Sequence, residues 1–375
     1  MRRQIVIFIA VAQTILFLGH WALYETWVHF WNLQGTLTPA GLVGLRIATI
    51  ALSISFVSTS VLAFRFYNIL VRVLYTMAAA WLGIANYFLF AAGGCWIFYG
   101  AARLAGSHCA PQDMAIVALM LFGAALATSV YGMANAAWTR VTRISVQLPN
   151  LPESWRGRVA ALVSDTHLGH VRNAGFLRRI VRTVARLEPD VVFITGDLYD
   201  GTACDCVRLA KPLAELHAPL GSYFITGNHE EFFDSRKYID AVESAGVRVL
   251  KNEKIVLDGL QVAGVLYRDS TDAAHFRSIL QRVAVDRERA SILLLHAPDR
   301  LAIAEEQSFS LQLSGHTHGG QFLPWTWVTS RIYGQYVHGL KRFGKLMIFT
   351  TWGAGTWGPP LRVGTNPEIV LIKFE

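Results

Sequence analysis

Side chains that commonly bind metal ions follow five short apolar runs between residues 159 and 314 of this 375-residue chain. The residues are Asp165, His167, Asp197, Asn228, His296, His316 and His318. They offer carboxylate, imidazole and amide groups and no thiolate, a mixture that suits Mn²⁺, Fe or Zn²⁺. One metal ion takes about three or four protein ligands. Seven residues that share one carboxylate can therefore supply two divalent ions with four ligands each.

Two metal ions about 3.5–4 Å apart are a standard arrangement for displacement reactions at phosphate esters. Such a pair holds the phosphate oxygens and makes hydroxide available near neutral pH. Gly196, Gly227 and Gly315 stand just before ligand positions, where glycine allows tight turns and a close approach of the backbone. The residues therefore predict a metal-dependent hydrolase of phosphoric esters or pyrophosphates.

The elements that must position these residues are alternating strands and helices from residue 158 onward. Strands are predicted over 159–164, 191–195, 223–226, 255–257, 262–266, 292–295, 311–314, 345–350 and 369–374. Helices are predicted over 177–187, 206–216 and 238–245. This order favours an α/β sandwich with mixed β-sheets flanked by helices. Polar residues just past the ends of apolar strands are typical of the sites of such sheets.

The first part of the chain has a different composition. Residues 1–139 contain only eight charged side chains, whereas an ordinary soluble domain is about 25% charged. Four apolar runs, over 5–24, 40–64, 73–99 and 114–137, have the length of about 20 residues that a bilayer span requires. These numbers exclude a plain soluble enzyme and a disordered chain. We predict a four-helix transmembrane domain (1–139), a juxtamembrane linker (140–157) and a hydrolase domain (158–375).

The orientation of the spans follows from arginine and lysine in short loops. Arginines occur at the N-terminus, between the second and third runs and after the fourth run, whereas the loop after the first run has none. We therefore expect a multi-pass protein of the inner (cytoplasmic) membrane, with its N-terminus and its C-terminal domain in the cytoplasm. The net charge of +8 is divided evenly between the two parts, which does not favour a nucleic-acid partner.

Five motifs occur in order between Asp165 and His318: D-x-H, G-D-x-x-D, G-N-H-E, an apolar run ending in His, and G-H-T-H. This series resembles the signature of the calcineurin-like metallophosphoesterases, and G-H-T-H-G-G-Q with the tail at 355–362 is similar to the bacterial membrane-associated branch. The resemblance covers about residues 155–375 and not the four apolar runs. It implies the α/β metallophosphoesterase fold and two divalent ions.

The resemblance also implies roles for individual residues. The first ion would take Asp165, His167, Asp197 and His318. The second would take Asp197, Asn228, His296 and His316, with Asp197 bridging. Asp197 and His229 would be catalytic, with His229 facing the leaving-group oxygen and either donating a proton to it or stabilising its charge. Asn228, His229 and Gln321 would bind substrate. Glu230 would orient His229, Asp200 would support the ligands, and Arg362 would contact the site or tie down the tail.

Two features bear on the substrate. An aromatic stretch at 322–327, followed by Tyr333 and Tyr336, is typical either of a packed loop or of a segment that touches lipid. Arg178, Arg182 and Arg186 form a basic helix face, which is typical of a solvated surface more than of one that binds anionic headgroups. Our first hypothesis is a lipid-linked phosphodiester or pyrophosphate, for which the resemblance suggests UDP-2,3-diacylglucosamine. The alternatives are soluble diesters such as cyclic nucleotides, or a metal-binding membrane sensor.

Overall fold

The computed structural model describes residues 2–31, 37–107 and 110–375. The chain divides into two compact units. One contains residues 1–134 with 358–361, and the other contains residues 135–357 with 362–375. The division between Ala134 and Asn135 falls a few residues before the boundary that composition predicts.

The first unit is built from long apolar helices, as expected. They are α1 (Arg2–Trp31), α2 (Pro39–Arg65), α3 (Ile69–Leu104) and α4 (Pro111–Ala137). All four are long and apolar enough to cross a membrane. Side-chain oxygens cap the N-termini of two of them. Thr38 accepts from the Gly41 amide at the start of α2, and Asn68 accepts from the Val71 amide at the start of α3. The chain is therefore a membrane protein with four candidate spans.

Polar side chains inside this unit pair across helices. The indole of Trp81 donates to His20 Nε2 at 2.8 Å, and His20 Nδ1 lies 2.8 Å from the Leu16 carbonyl oxygen. The indole of Trp96 donates to the Thr26 hydroxyl at 2.9 Å. Such bonds join helices in surroundings that offer little water.

The second unit contains two six-stranded sheets. The strands are β1 (Arg140–Val146), β2 (Val159–Val163), β3 (Val191–Thr195), β4 (Ser222–Ile225), β5 (Arg248–Val249), β6 (Glu253–Leu257), β7 (Leu260–Gly264), β8 (Ser291–Leu294), β9 (Leu311–Ser314), β10 (Gly339–Phe343), β11 (Leu346–Thr350) and β12 (Glu368–Phe374). The first sheet has the order β1-β12-β2-β3-β4-β5, and the second has the order β10-β11-β9-β8-β7-β6. Both are mixed, since β12 is antiparallel to β2 and β10 is antiparallel to β11.

Helices connect the strands of the two sheets. They are α5 (Ala174–Arg186), α6 (Cys206–Ala210), α7 (Arg236–Ser244), α8 (Tyr267–Thr271), α9 (Ala273–Val283), α10 (Leu301–Glu306) and α11 (Trp325–Tyr333). One apolar core packs α5, α6 and α7 on the first sheet, and another packs α9 and α10 on the second. The third core lies between the sheets, where Phe193 of β3 joins the same cluster as Leu294 of β8. The predicted sandwich of mixed sheets and flanking helices is confirmed.

Three segments differ from their predicted structure. The range 140–157, predicted as a linker, contains β1, which pairs in parallel with β12 from Arg140↔Glu368 to Val146↔Phe374. Residues 325–333, which include the second half of the aromatic stretch, form helix α11. The helix predicted over 206–216 ends as α6 and continues as a 3₁₀ turn over Lys211–Glu215, because Pro212 cannot donate the next helical hydrogen bond.

Candidate active site

The candidate ligands all follow the carboxyl ends of parallel strands. In the first sheet, Asp165 and His167 follow β2, Asp197 follows β3, and Asn228 follows β4. In the second sheet, His296 follows β8, while His316 and His318 follow β9. Carboxyl ends of parallel strands lie at one edge of a sheet. The structure brings all seven side chains together where these two edges meet.

The backbone at these ligands is left-handed. Asp165, His167, Asp197, His316 and His318 have φ between 48° and 70°. A residue with a Cβ adopts this region at a cost of about 1–3 kcal/mol, and keeps it only where its surroundings impose it. Such residues are frequent at functional sites, and five of the seven candidate ligands share this conformation.

Two glycines allow the strand ends to approach each other. A Cβ at Gly227 would collide with the carboxylate and the backbone nitrogen of Asp197. A Cβ at Gly315 would collide with the Ser164 hydroxyl and the carboxylate of Asp165. The predicted reason for glycine at these positions, a close approach of the backbone, is confirmed.

The first group of ligand atoms joins Asp165, His167 and His318, which are all buried. The Nε2 atoms of the two histidines lie 2.8 Å apart, and His318 Nε2 lies 3.6 Å from Asp165 Oδ1. Asp197 Oδ2 lies 3.8 Å from His167 Nε2, close enough to complete the set. Two imidazole nitrogens and two carboxylates facing one point form a suitable set for a divalent ion.

The second group shares Asp197 with the first. His296 Nε2 lies 3.1 Å from Asp197 Oδ2 and 3.1 Å from Asn228 Oδ1. His316 Nδ1 lies 2.9 Å from the same Asn228 oxygen. Nitrogen and oxygen donors again converge without a thiolate, so both groups fit borderline divalent ions. The two groups correspond to the two ligand sets that the motifs imply.

Burial controls the ionisation of the ligands. It raises the pKa of Asp165 to about 6, lowers the pKa of His316 to about 4, and holds the pKa values of His167 and His318 well below the ordinary range. Burial also acts to lower the pKa of His296, but the Asp197 carboxylate outweighs it and raises that pKa to about 10. Most of the imidazoles are therefore neutral near pH 7, the form that binds metals.

His229 lies beside the cluster with a fixed ring orientation. Its Nδ1 lies 2.9 Å from the Asp200 carbonyl oxygen, and a carbonyl can only accept, so Nδ1 carries a proton. Its Nε2 therefore points toward the metal ligands, 3.9 Å from Asp197 Oδ2. The backbone amide of His229 also donates to Asp197 Oδ1 at 2.9 Å.

The prediction that Glu230 orients His229 differs from the observed contacts. The Glu230 carboxylate accepts from the amides of Asp197, Tyr199 and Gly227 at 2.7–2.9 Å. It therefore joins the β3 and β4 loops, and the carbonyl of Asp200 orients His229 instead. The Asp200 carboxylate lies 3.7 Å from His167 Nδ1, next to a ligand as expected.

Arg362 is completely buried beneath His318. Its guanidinium donates to the carbonyl oxygens of His318, Trp352 and Gly355 at 3.0, 2.7 and 2.6 Å. One of its nitrogens also lies 2.9 Å from His318 Nδ1. Both parts of the expectation are met, because Arg362 ties down the tail and contacts a ligand.

Gln321 is buried, and its amide group bonds to the backbone of Trp357. It donates to the Trp357 carbonyl at 2.8 Å and accepts from the Trp357 amide at 3.0 Å. These contacts fix the loop at the edge of the site. Its predicted contact with substrate stays a prediction.

Four aromatic side chains that the motifs do not contain surround the ligands. The rings of Phe232 and Trp357 lie 4.5 and 5.8 Å from the His229 ring. The rings of Tyr267 and Tyr333 lie 6.2 and 6.0 Å from the His316 ring. We call these four residues the aromatic rim. The sequence could have indicated Tyr267 as a residue of the site, because Tyr267 follows β7, a strand parallel to β8.

The fold and the ligand cluster define a dinuclear type of phosphoesterase site, and comparison with known proteins agrees. Residues 159–320 match the family model for calcineurin-like phosphoesterases. The chain is 32% identical to an uncharacterized metallophosphoesterase of Aquifex aeolicus, over 67% of this chain and 97% of that protein. The chain therefore belongs to the calcineurin-like metallophosphoesterase family, in which two divalent ions are typical.

Two further relatives are longer than their matching regions. An uncharacterized metallophosphoesterase of Campylobacter jejuni is 32% identical over 63% of this chain and 63% of its own length. A transmembrane protein with metallophosphoesterase domain from Danio rerio is 34% identical over 66% of this chain and 60% of its own length. The chain thus spans roughly three fifths of the length of these two relatives.

Proposed function

We propose that the protein is a metal-dependent hydrolase that cleaves a phosphodiester or pyrophosphate bond in a lipid-linked substrate. The observation that carries the chemistry is the carboxylate of Asp197, which one buried histidine approaches from each ligand group. His167 Nε2 and His296 Nε2 lie 3.8 and 3.1 Å from its Oδ2 atom. One carboxylate between two nitrogen-rich groups suits a pair of ions that act on one phosphate.

The ligand groups divide the work between them. Asp165, His167 and His318 would hold one ion, Asn228, His296 and His316 would hold the other, and Asp197 would bridge. Bound divalent ions supply positive charge for the phosphate oxygens and acidify the attacking water. Glu230 and Arg362 keep the backbone of three ligand loops in place, so the side chains need little reorganisation when substrate arrives.

His229 is the residue placed to move a proton. Because the Asp200 carbonyl holds Nδ1, only Nε2 is free to exchange a proton with the substrate. In the imidazolium form, Nε2 would donate a proton to the oxygen of the leaving group. The neutral ring that remains is recharged from solvent at the mouth of the site.

The aromatic rim supports a substrate with an apolar part. Rings at 4.5–6.2 Å from His229 and His316 leave apolar surface next to the position of the phosphate. Trp357 is 55% exposed and Phe232 is 45% exposed, although both adjoin the buried His229. The four candidate spans supply a bilayer in which such a substrate would be dissolved. We place the domain at the cytoplasmic face of a bacterial inner membrane, on the distribution of arginines between the loops.

UDP-2,3-diacylglucosamine is the first substrate to test. The full chain is purified in detergent and incubated with Mn²⁺, and release of UMP is measured beside that of Asp197→Asn. We expect release by the wild type and a loss of more than about 10³-fold in the variant, since both ions lose a shared ligand.

A water-soluble aryl phosphodiester serves as the control substrate. If only the aryl ester is cleaved, the chemistry stands and this lipid is wrong. If other lipid phosphates are also cleaved no faster than the aryl ester, the lipid-linked class is wrong. If wild type and Asp197→Asn are equally inactive on every ester while metal is bound, the proposed hydrolase itself is contradicted.

A further inference from the structure

Helix α11 projects apolar side chains into its surroundings. None of its nine residues, all of which the structure describes, is buried. Trp325, Trp327 and Ile332 are 53%, 59% and 67% exposed, and the preceding Leu323 is 52% exposed. A surface helix of a globular domain normally packs its apolar stripe on the core. These four residues form what we call the α11 surface.

The α11 surface is held rigidly beside the ligand loops. Before the helix, the Gln321 carbonyl accepts from the amide of Val363 at 2.9 Å. After it, the Val337 carbonyl accepts from the hydroxyl of Thr317, between the ligands His316 and His318, at 2.8 Å. The rim residue Tyr333 belongs to the same helix. Whatever binds the α11 surface is therefore placed next to the site.

The charges along the segment that carries this surface have one sign, although the Glu305 carboxylate accepts from the Lys345 amide at 3.2 Å. From Gln307 to Pro367 the sequence contains no aspartate or glutamate. Lys341, Arg342 and Lys345 are exposed in the hairpin that follows the helix, and the Arg331 guanidinium lies 5.1 Å from the Trp327 ring centroid. Basic side chains near a bilayer surface gain about 1 kcal/mol each from anionic lipids.

On these observations we infer that the α11 surface binds the anionic face of a lipid bilayer and holds the mouth of the active site at the headgroups. Indole rings favour the boundary between headgroups and acyl chains, and basic residues favour anionic headgroups. Phe232, whose ring lies 4.5 Å from the His229 ring, and the adjacent Phe233 are both exposed and add apolar surface near the mouth. Only the statement that a lipid phosphate then enters the site rests on the proposed function.

Depth-dependent quenching tests the docking directly. The full chain is prepared with Trp327→Cys as its single cysteine, labelled with an environment-sensitive fluorophore and reconstituted in vesicles of phosphatidylcholine and phosphatidylglycerol. The matched control carries Val256→Cys, a position on β6 that is 54% exposed. We expect nitroxide groups high on the acyl chains to quench the label at 327 at least about threefold more than the label at 256, because interfacial helices lie at that depth.

Equal quenching at both positions would overturn the docking inference. Hydrolysis of the soluble aryl phosphodiester by both labelled proteins shows that each has folded. Replacing phosphatidylglycerol by phosphatidylcholine should reduce the quenching at 327, and quenching that is independent of anionic lipid would overturn the role of the basic residues.

Kinetics separate docking from structural support. Trp327→Glu should raise the KM for a vesicle-borne phosphoester about tenfold and leave the soluble aryl ester unchanged, while Val256→Glu should change neither. Equal loss on both substrates would mean that α11 only supports the ligand loops, which contradicts the inference. Docking without hydrolysis of any lipid phosphoester would instead leave the inference standing and contradict the proposed function.

Discussion

The ligand cluster and the α11 surface lie next to each other but are built by opposite rules. The cluster consists of polar residues that follow strand ends, mostly with left-handed backbone, and its loops donate hydrogen bonds to Glu230 and accept them from Arg362. The α11 surface consists of exposed apolar residues on a short helix that contributes nothing to the core. The difference teaches that the ends of the strands fix the positions of the ligands, whereas we propose that α11, which packs on no core, determines which substrates reach them.

The largest effect is expected when the proton donor alone is removed from the ligand cluster and the α11 surface is left unchanged. His229→Gln should lower kcat by about 10²–10⁴ on lipid and soluble substrates alike, with both ions retained. The loss should shrink for esters with more acidic leaving groups, which need less protonation. Steady-state kinetics and elemental analysis of bound metal provide the measurement.

His217→Gln is the matched control, because His217 is exposed and lies outside the loops that carry the ligands. If His229→Gln loses metal in proportion to activity, the residue acts through the ligands and not on the leaving group.

A smaller effect is expected when a residue that holds the ligand loops in place is replaced. Arg362→Met removes donors from the carbonyls of His318, Trp352 and Gly355, so we expect metal affinity to fall about 10–100-fold. The free energy of unfolding should also fall by about 3–5 kcal/mol, since a buried network loses its charged partner. Metal titration and chemical denaturation measure the two quantities.

Arg182→Met, on the exposed face of α5, should change neither quantity. An Arg362→Met protein with wild-type metal affinity would show that the arginine serves only the tail.

The smallest expected effect is the release of protons when metal binds. The Asp197 carboxylate raises the pKa of His296 to about 10, so His296 is protonated at pH 7 in the metal-free protein. A metal needs the neutral ring, so binding at pH 7 should release about one proton from this residue. Metal affinity should consequently fall about tenfold per unit of pH on acidification, and more steeply below about 6, where Asp165 also takes up a proton.

Calorimetry in buffers of different ionisation enthalpy counts the released protons. Trp327→Glu should release the same number as the wild type, because the α11 surface has no part in this titration. A count of zero in the wild type would contradict the protonated state of His296.

The sequence was sufficient wherever one local pattern determines the outcome. Seven ligand candidates stand directly after apolar strands, so the parallel sheet edges bring them together without further information. The four apolar helices follow from length and hydropathy alone. Gly227 and Gly315 were interpretable because the close approach they allow involves neighbouring ligand loops.

Features that depend on distant partners could not be predicted. Strand β1 alternates polar and apolar residues at a sheet edge, and its partner β12 comes at the other end of the domain sequence. Helix α11 has no stripe packed on a core, so its nine residues resemble a loop between Pro324 and Gly334. The contacts of Glu230 and the aromatic rim depend on how three loops meet, which no local spacing encodes.

The position of β12 has a consequence for synthesis of the protein. This strand lies between β1 and β2 in the first sheet, although it leaves the ribosome after every ligand has emerged. Until then β1 and β2 have no common neighbour, and closing so long a loop is slow. Arg362 and the glycine-rich turn against Asp165 also arrive late. The first sheet of the nascent chain therefore stays incomplete while the apolar helices have already emerged, so we expect the ligand cluster to assemble after those helices are available for insertion.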